Sequence, residues 1–148
     1  MSYLTPELPP ITLNTVDAER LLHLAEIARR RFPNAAEVLA REVERANLVS
    51  PSQLLPGVVA MGSEVEFRDD VTGQIRRVTL VYPHEADVAS GRISVLTPVG
   101  AALIGLSVSQ SIEWETLLGE RRSLTVLRVQ PGPAAVEGAP AVAKPADA

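Results

Sequence analysis

Between Ile93 and Leu106 the spacing of apolar residues changes period within a dozen positions. Ile93 and Val95 flank Ser94 as in a strand, and Ala101, Ala102, Leu103 and Ile104 then form a compact apolar run. Between them stand Thr97, whose hydroxyl can accept from an orphan helix N–H, and Pro98, whose missing N–H costs nothing at the first helical position. Gly105 follows as a left-handed C-cap, with Leu106 placed to pack back on the helix. A helix this short is marginal alone and must be buried against neighbours. The alternating segments on either side supply them.

Upstream, the period is helical. Leu21, Leu24, Ala25 and Ala28 recur at i, i+3, i+4 and i+7, and Leu22 and Ile27 widen that face. Asn14 or Thr15 caps the segment, Asp17 and Glu19 sit at its positive end, and Arg29, Arg30 and Arg31 at its negative end. Pro33 reads as its stop. Asn34 opens a second helix with Glu37 three residues on, a capping-box spacing. Leu39, Val43 and Ala46 line its apolar face beside Ala36 and Val38. Glu37, Arg41, Glu42, Glu44 and Arg45 take the solvated side, with Glu37 and Arg41 at i, i+4. A connection this short folds the pair into an antiparallel hairpin. At about 1.5 Å per residue its helices run roughly 25 Å and 20 Å.

From Val58 the period falls to two. Val58, Val59, Met61, Val65 and Phe67 alternate with polar residues as one strand, and Asp69 to Gly73 reads as a hairpin turn in which Asp is placed for backbone hydrogen bonding. Gln74 to Tyr82 returns with Ile75, Val78, Leu80 and Tyr82. Val108, Ile112 and Trp114 mark a further strand, and Leu124, Val126, Leu127 and Val129 the last, with Gly119 in the turn between. The expected organisation is a disordered lead-in over 1–10, a helical hairpin over 11–50, a linker over 51–57, a sheet module over 58–130 and a disordered tail over 131–148. The fold class is α+β: an antiparallel sheet wrapped around one short helix, preceded by a short coiled-coil arm.

Composition narrows the function. Of 148 residues 46% are hydrophobic, enough for a core, but only 3% are aromatic, and the net charge is −4 without a basic tail. Autonomous nucleic-acid binding is therefore disfavoured. The chain has no cysteine, which removes disulfides and thiolate metal sites. The N-terminus lacks the pattern of a signal peptide, and no apolar run reaches membrane-span length, so a cytoplasmic monomer is expected. His23 and His84 have no ligand spacing, and Ser63, Ser94, Ser107 and Ser109 carry no nucleophile signature. No catalytic residue, metal or cofactor is expected.

Thr79-Leu-Val-Tyr-Pro83, the stretch from Ile93 to Leu106 and the continuation from Gly105 to Trp114 together resemble the C-terminal domain of the Gre transcript-cleavage factors. The resemblance extends over roughly residues 11–130, and most nearly to a short branch of that family, the regulators of nucleoside diphosphate kinase. It implies an FKBP-like sheet module. It also implies docking on the β′ rim helices of the RNA polymerase secondary channel through the corner Leu96, Thr97 and Pro98. Thr97-Pro98 matches a Ser-Pro of those factors. Leu96 stands where they carry a polar residue, and Ser109-Gln110 where they often carry Gly-Asp.

In the Gre factors, carboxylates at the arm tip help hold a catalytic Mg²⁺ in the channel, since a hard cation selects oxygen ligands. Here the tip reads Arg29, Arg30, Arg31, Phe32, Pro33, Asn34, with no acid. Glu26 and Glu37 lie about a turn down each helix, so cleavage is not expected. The tip arginines either complement the helix dipole or contact the polymerase or a phosphate. The leading expectation is a non-enzymatic polymerase-binding regulator that acts on nucleoside diphosphate kinase only through transcription. The alternative is a peptidyl-prolyl isomerase or chaperone of the FKBP-like fold. That activity needs an aromatic-lined pocket, for which only Phe67, Tyr82 and Trp114 are at hand.

Overall fold

The computed structural model describes residues 8–132; residues 1–7 and 133–148, most of the expected lead-in and tail, lie outside the described residues. The elements run β1 (Thr12–Asn14), α1 (Thr15–Ala28), α2 (Pro33–Arg45), β2 (Asn47–Val49), β3 (Glu64–Asp69), β4 (Ile75–Val81), β5 (Arg92–Ser94), α3 (Pro98–Leu103), β6 (Ser111–Glu115) and β7 (Arg121–Gln130). No described helix is long and apolar enough to cross a membrane.

The arm is the expected helical hairpin. Asn14 caps α1, its side-chain oxygen accepting from the Asp17 N–H at 2.8 Å. Ala18, Leu21, Ala25 and Ala28 close against Ala36, Leu39 and Val43 in a buried seam of mostly small residues. With 14 and 13 residues, the two helices are each about 20 Å long, so the first is shorter than expected.

Three details differ from the sequence reading. Pro33 begins α2 instead of merely ending α1, because its ring suits the first helical position. Phe32 is the N-cap and makes no side-chain bond, so the Asn34 and Glu37 capping box does not form. Glu37 instead accepts from Arg41 at 3.1 Å, the i, i+4 pair expected. Glu42, assigned to the solvated side, is only 8% exposed. Arg45 neutralises it at 2.9 Å and also donates to the Pro9 carbonyl, which makes its burial tolerable.

The sheet has the order β5-β4-β3-β7-β6 and is antiparallel except for the parallel pair β4/β5. Asp69 Oδ1 accepts from the Val71 and Thr72 N–H groups in the β3/β4 turn, and Gly73 has φ +78°, as that turn required. The strand expected from Val58 begins only at Glu64, because Val59 pairs with the segment after α3. Its N–H donates to the Leu106 carbonyl at 2.8 Å and its carbonyl accepts from the Gly105 N–H at 2.9 Å. Val108 falls outside β6, in a turn where Ser109 holds φ +79°. Gly105 is not the cap of α3. Ile104 (φ −59°, ψ 128°) and Gly105 (φ +83°) form a type II turn closed by the Leu106 N–H on the Leu103 carbonyl at 3.1 Å.

A parallel ribbon, β1 with β2, was not foreseen and ties the two ends of the arm together. It lies against the module. The Thr12 N–H donates to the Gly105 carbonyl at 3.1 Å, and Asp17 Oδ2 accepts from the Met61 N–H at 3.1 Å. Ile11, Leu13 and the seam residues join Val59, Leu80, Leu103, Ile104 and Leu106 in one apolar cluster.

Candidate functional site

The corner before α3 is built by hydrogen bonds back onto β5. Ser94 Oγ accepts from the Leu96 N–H at 3.0 Å, and its carbonyl accepts from both the Thr97 N–H at 3.0 Å and the Thr97 hydroxyl at 2.7 Å. Thr97 Oγ1 in turn accepts from the Gly100 N–H at 3.1 Å, the N-cap read from the sequence. The turn is so close that a Cβ on Gly100 would stand 2.2 Å from the Ser94 carbonyl oxygen. Leu96, Thr97 and Pro98 are therefore fixed in position, half-buried, between the buried Val95 and Gly100. The Thr97 hydroxyl has spent its donor and one lone pair, so it can only accept from a partner. Leu96 and Pro98 offer apolar contact.

At the far end of the arm, α1 stops at Ala28, so Arg29, Arg30 and Arg31 lie in the turn beyond its last helical turn. The Phe32 N–H reaches back to the Ala28 carbonyl at 2.8 Å. The Arg31 guanidinium sits over the exposed Phe32 ring, 5.9 Å from its centroid. Asn34, exposed in the first turn of α2, completes the tip. Both carboxylates nearest the tip already have cationic partners: Glu26 with Arg29 at 3.8 Å and Glu37 with Arg41 at 3.1 Å.

The arm root carries a group that sequence reading took only for a helix-end charge. Asp17 is drawn into the junction, and burial raises its carboxyl above the ordinary value against the lowering effect of the Met61 N–H, Asn14 and Arg20. Burial also pushes the Tyr82 phenol up to about 12, with the Asp17 charge adding to it. The Asp17 to Met61 bond joins residues 44 apart in sequence, and no local pattern announces it.

His23 is exposed on α1, and His84 stacks on Tyr82 with ring centroids 6.5 Å apart. Among the described residues no group of three or more His, Asp or Glu side chains is gathered to hold a metal. Phe67 is sealed in the core, with Arg76 over its ring at 5.7 Å. The Tyr82 hydroxyl and Trp114 indole N–H are buried without a hydrogen-bond partner among the described residues. The Ser63 hydroxyl is buried and accepts from the Ala60 N–H.

A mixed sheet curled on one short helix, with a helical hairpin fixed to it, defines a class. Residues 54–131 match the profile of the transcription elongation factor GreA/GreB C-terminal family, and residues 9–49 match that of the Rnk N-terminus. The chain belongs to the GreA/GreB family, in the branch with an Rnk-type arm. Among its relatives, the Regulator of nucleoside diphosphate kinase of Escherichia coli K12 is 40% identical over 127 residues, 86% of this chain and 93% of that protein. Transcription elongation factor GreA of Syntrophobacter fumaroxidans is 38% identical over 92 residues, 62% of this chain and 58% of that one. In structure, a GreA/GreB transcription elongation factor from Nitrosomonas europaea superposes with a TM-score of 0.65 at 38% identity, covering 82% of this chain and 98% of the other.

Proposed function

We propose that the chain is a non-enzymatic regulator of transcription elongation that binds RNA polymerase at the rim of its secondary channel and does not stimulate transcript cleavage. The sheet module docks through Leu96, Thr97 and Pro98, and the arm extends from it into the channel mouth. Any effect on nucleoside diphosphate kinase then runs through transcription.

The observation that carries this reading is the chemistry of the arm tip. A catalytic Mg²⁺ needs free carboxylate oxygens delivered at the end of the arm. This tip delivers guanidinium groups, and the nearest carboxylates lie below it, Glu26 beside Arg29 of the turn and Glu37 paired with Arg41 of α2. The arm is also short, about 20 Å from its helix lengths. Its root is held to the module by backbone bonds at Gly105 and by Asp17, so the module that docks also sets the direction of the arm.

The direct test is capture of purified core polymerase by the full chain and by Pro98→Arg. Pro98 is half-buried at the first helical position, where a long cation blocks a close apolar contact without removing the Thr97 cap. Capture by the wild type and loss by the variant support the reading. Equal capture by both removes the corner from it.

A further inference from the structure

We propose that Pro9 and Pro10 form a strap that locks the arm to the sheet module in one orientation, with Gln110 as the positioning residue that holds it. The two prolines end the lead-in expected to be disordered, yet from Pro9 onward three successive carbonyls accept from three different elements. The Pro9 carbonyl accepts from the Arg45 guanidinium at the end of α2. The Pro10 carbonyl accepts from Gln110 Nε2, in the turn before β6, at 3.0 Å. The Ile11 carbonyl accepts from the Asn47 N–H of β2 at 2.9 Å. Two prolines suit this work. Each ring fixes φ at about −65° and biases the residue before it to extended backbone, so the carbonyls keep their directions.

Both donors are aimed before they reach the strap. Arg45 presents Nε and Nη2 to Glu42, at 3.2 Å and 2.9 Å, which leaves Nη1 for Pro9. Gln110 Oε1 accepts from the Ser107 N–H at 2.9 Å, and its backbone is pinned by the Ser107 carbonyl and the Val126 N–H, each at 3.0 Å. The other ties between arm and module, Thr12 to Gly105 and Asp17 to Met61, both lie on the α1 side of the hairpin. Among the described residues no hydrogen bond runs directly from α2 or β2 to the module, and α2 meets it by packing on α3. Ties on one side alone leave a pivot. The strap closes the other side, gripping the arm through Arg45 and the module through Gln110.

The chain has no cysteine, so spin labels at Asn34→Cys on the tip and Arg128→Cys on β7 report one arm-to-module distance in the full chain. Both positions are exposed. Gln110→Glu keeps the acceptor for the Ser107 N–H and removes the donor to Pro10. Pro9→Ala/Pro10→Ala keeps both carbonyls and removes the stiffness. Gln74→Glu, at an exposed turn position, is the charge control, and Val71→Cys/Arg128→Cys is a label pair within the module. An arm of about 20 Å that pivots by about 15° carries its tip roughly 5 Å. The expected result is a single narrow distance in the wild type and in Gln74→Glu, broadened by about 5 Å in Gln110→Glu and in the double alanine variant. The distance within the module stays unchanged in all of them. A broad distribution in the wild type overturns the proposal, as does unchanged width in either strap variant. Equal broadening within the module also overturns it, because Gln110 then merely holds the module together. The measurement involves no polymerase, so its outcome is separate from that of the docking reading above.

Discussion

Gly105→Ala perturbs the point where arm and module meet, and its cost can be separated into two parts. The backbone there has φ +83°, and an added Cβ would lie 2.9 Å from Ile11 Cβ. Holding an L-residue in that region costs about 1–2 kcal/mol. Carbon atoms settle at about 3.5–4.0 Å, so the new methyl stands roughly 0.6 Å too close. Ile11 cannot swing away, because it is fully buried and its carbonyl accepts from the Asn47 N–H at 2.9 Å. Overpacking of this kind costs about 1–3 kcal/mol more. Gly73→Ala is the control, since Gly73 has φ +78° with nothing within 4 Å of the added atom. The loss of unfolded-state freedom is common to both substitutions and cancels in the comparison. With a urea slope of about 2 kcal/mol per molar, Gly105→Ala should unfold roughly 1 M below Gly73→Ala. Coincident midpoints would refute the close packing of arm root on module.

Asp17→Ala removes the acceptor of the Met61 N–H and should destabilise the chain by about 1–2 kcal/mol in urea, part of the lost bond being offset by relief of carboxylate burial. Stability against pH has opposite signs at different carboxylates. Asp17 has a raised folded-state value, so its penalty grows as pH rises from 3.8 through that value. Asp69 and Asp70 feel an upward push from burial that their partners outweigh: the Val71 and Thr72 N–H groups and Arg122 for one, Thr125, Arg68 and Ser123 for the other. Their stabilisation is complete above 3.8 and is lost as pH falls through their lowered values, so Asp70→Asn should flatten acid denaturation while Asp17→Asn should remove the decline on raising pH. Urea midpoints taken between about pH 2.5 and about pH 6, across the carboxylate range, check both signs.

Much of the fold was legible because it rests on short-range rules. Thr97 and Pro98 frame α3 by capping chemistry that needs only neighbours in sequence, and the small-residue seam of the arm follows from a 3.6 period. Pro33 was misread because a proline satisfies both the end of one helix and the start of the next, and only the path of the chain decides. Glu42 was misplaced because its burial depends on Arg45, which is anchored by a carbonyl 36 residues away. Gly105 was correctly given a positive φ but assigned to a cap, since the turn it serves is fixed by Val59 across the module. For the candidate site, sequence supplied the residue types at corner and tip. It supplied the Glu37 to Arg41 pair, but not the contact of Glu26 with Arg29 or the anchoring of the arm through Asp17.

The most direct measurement is transcript cleavage in stalled elongation complexes incubated with Mg²⁺ and a cleavage-active Gre factor, with this chain added in excess. The account predicts that cleavage by the Gre factor falls as the chain occupies the same rim, and that the chain alone produces none. Cleavage stimulated by the chain itself, or a Gre reaction untouched by it, would contradict the account.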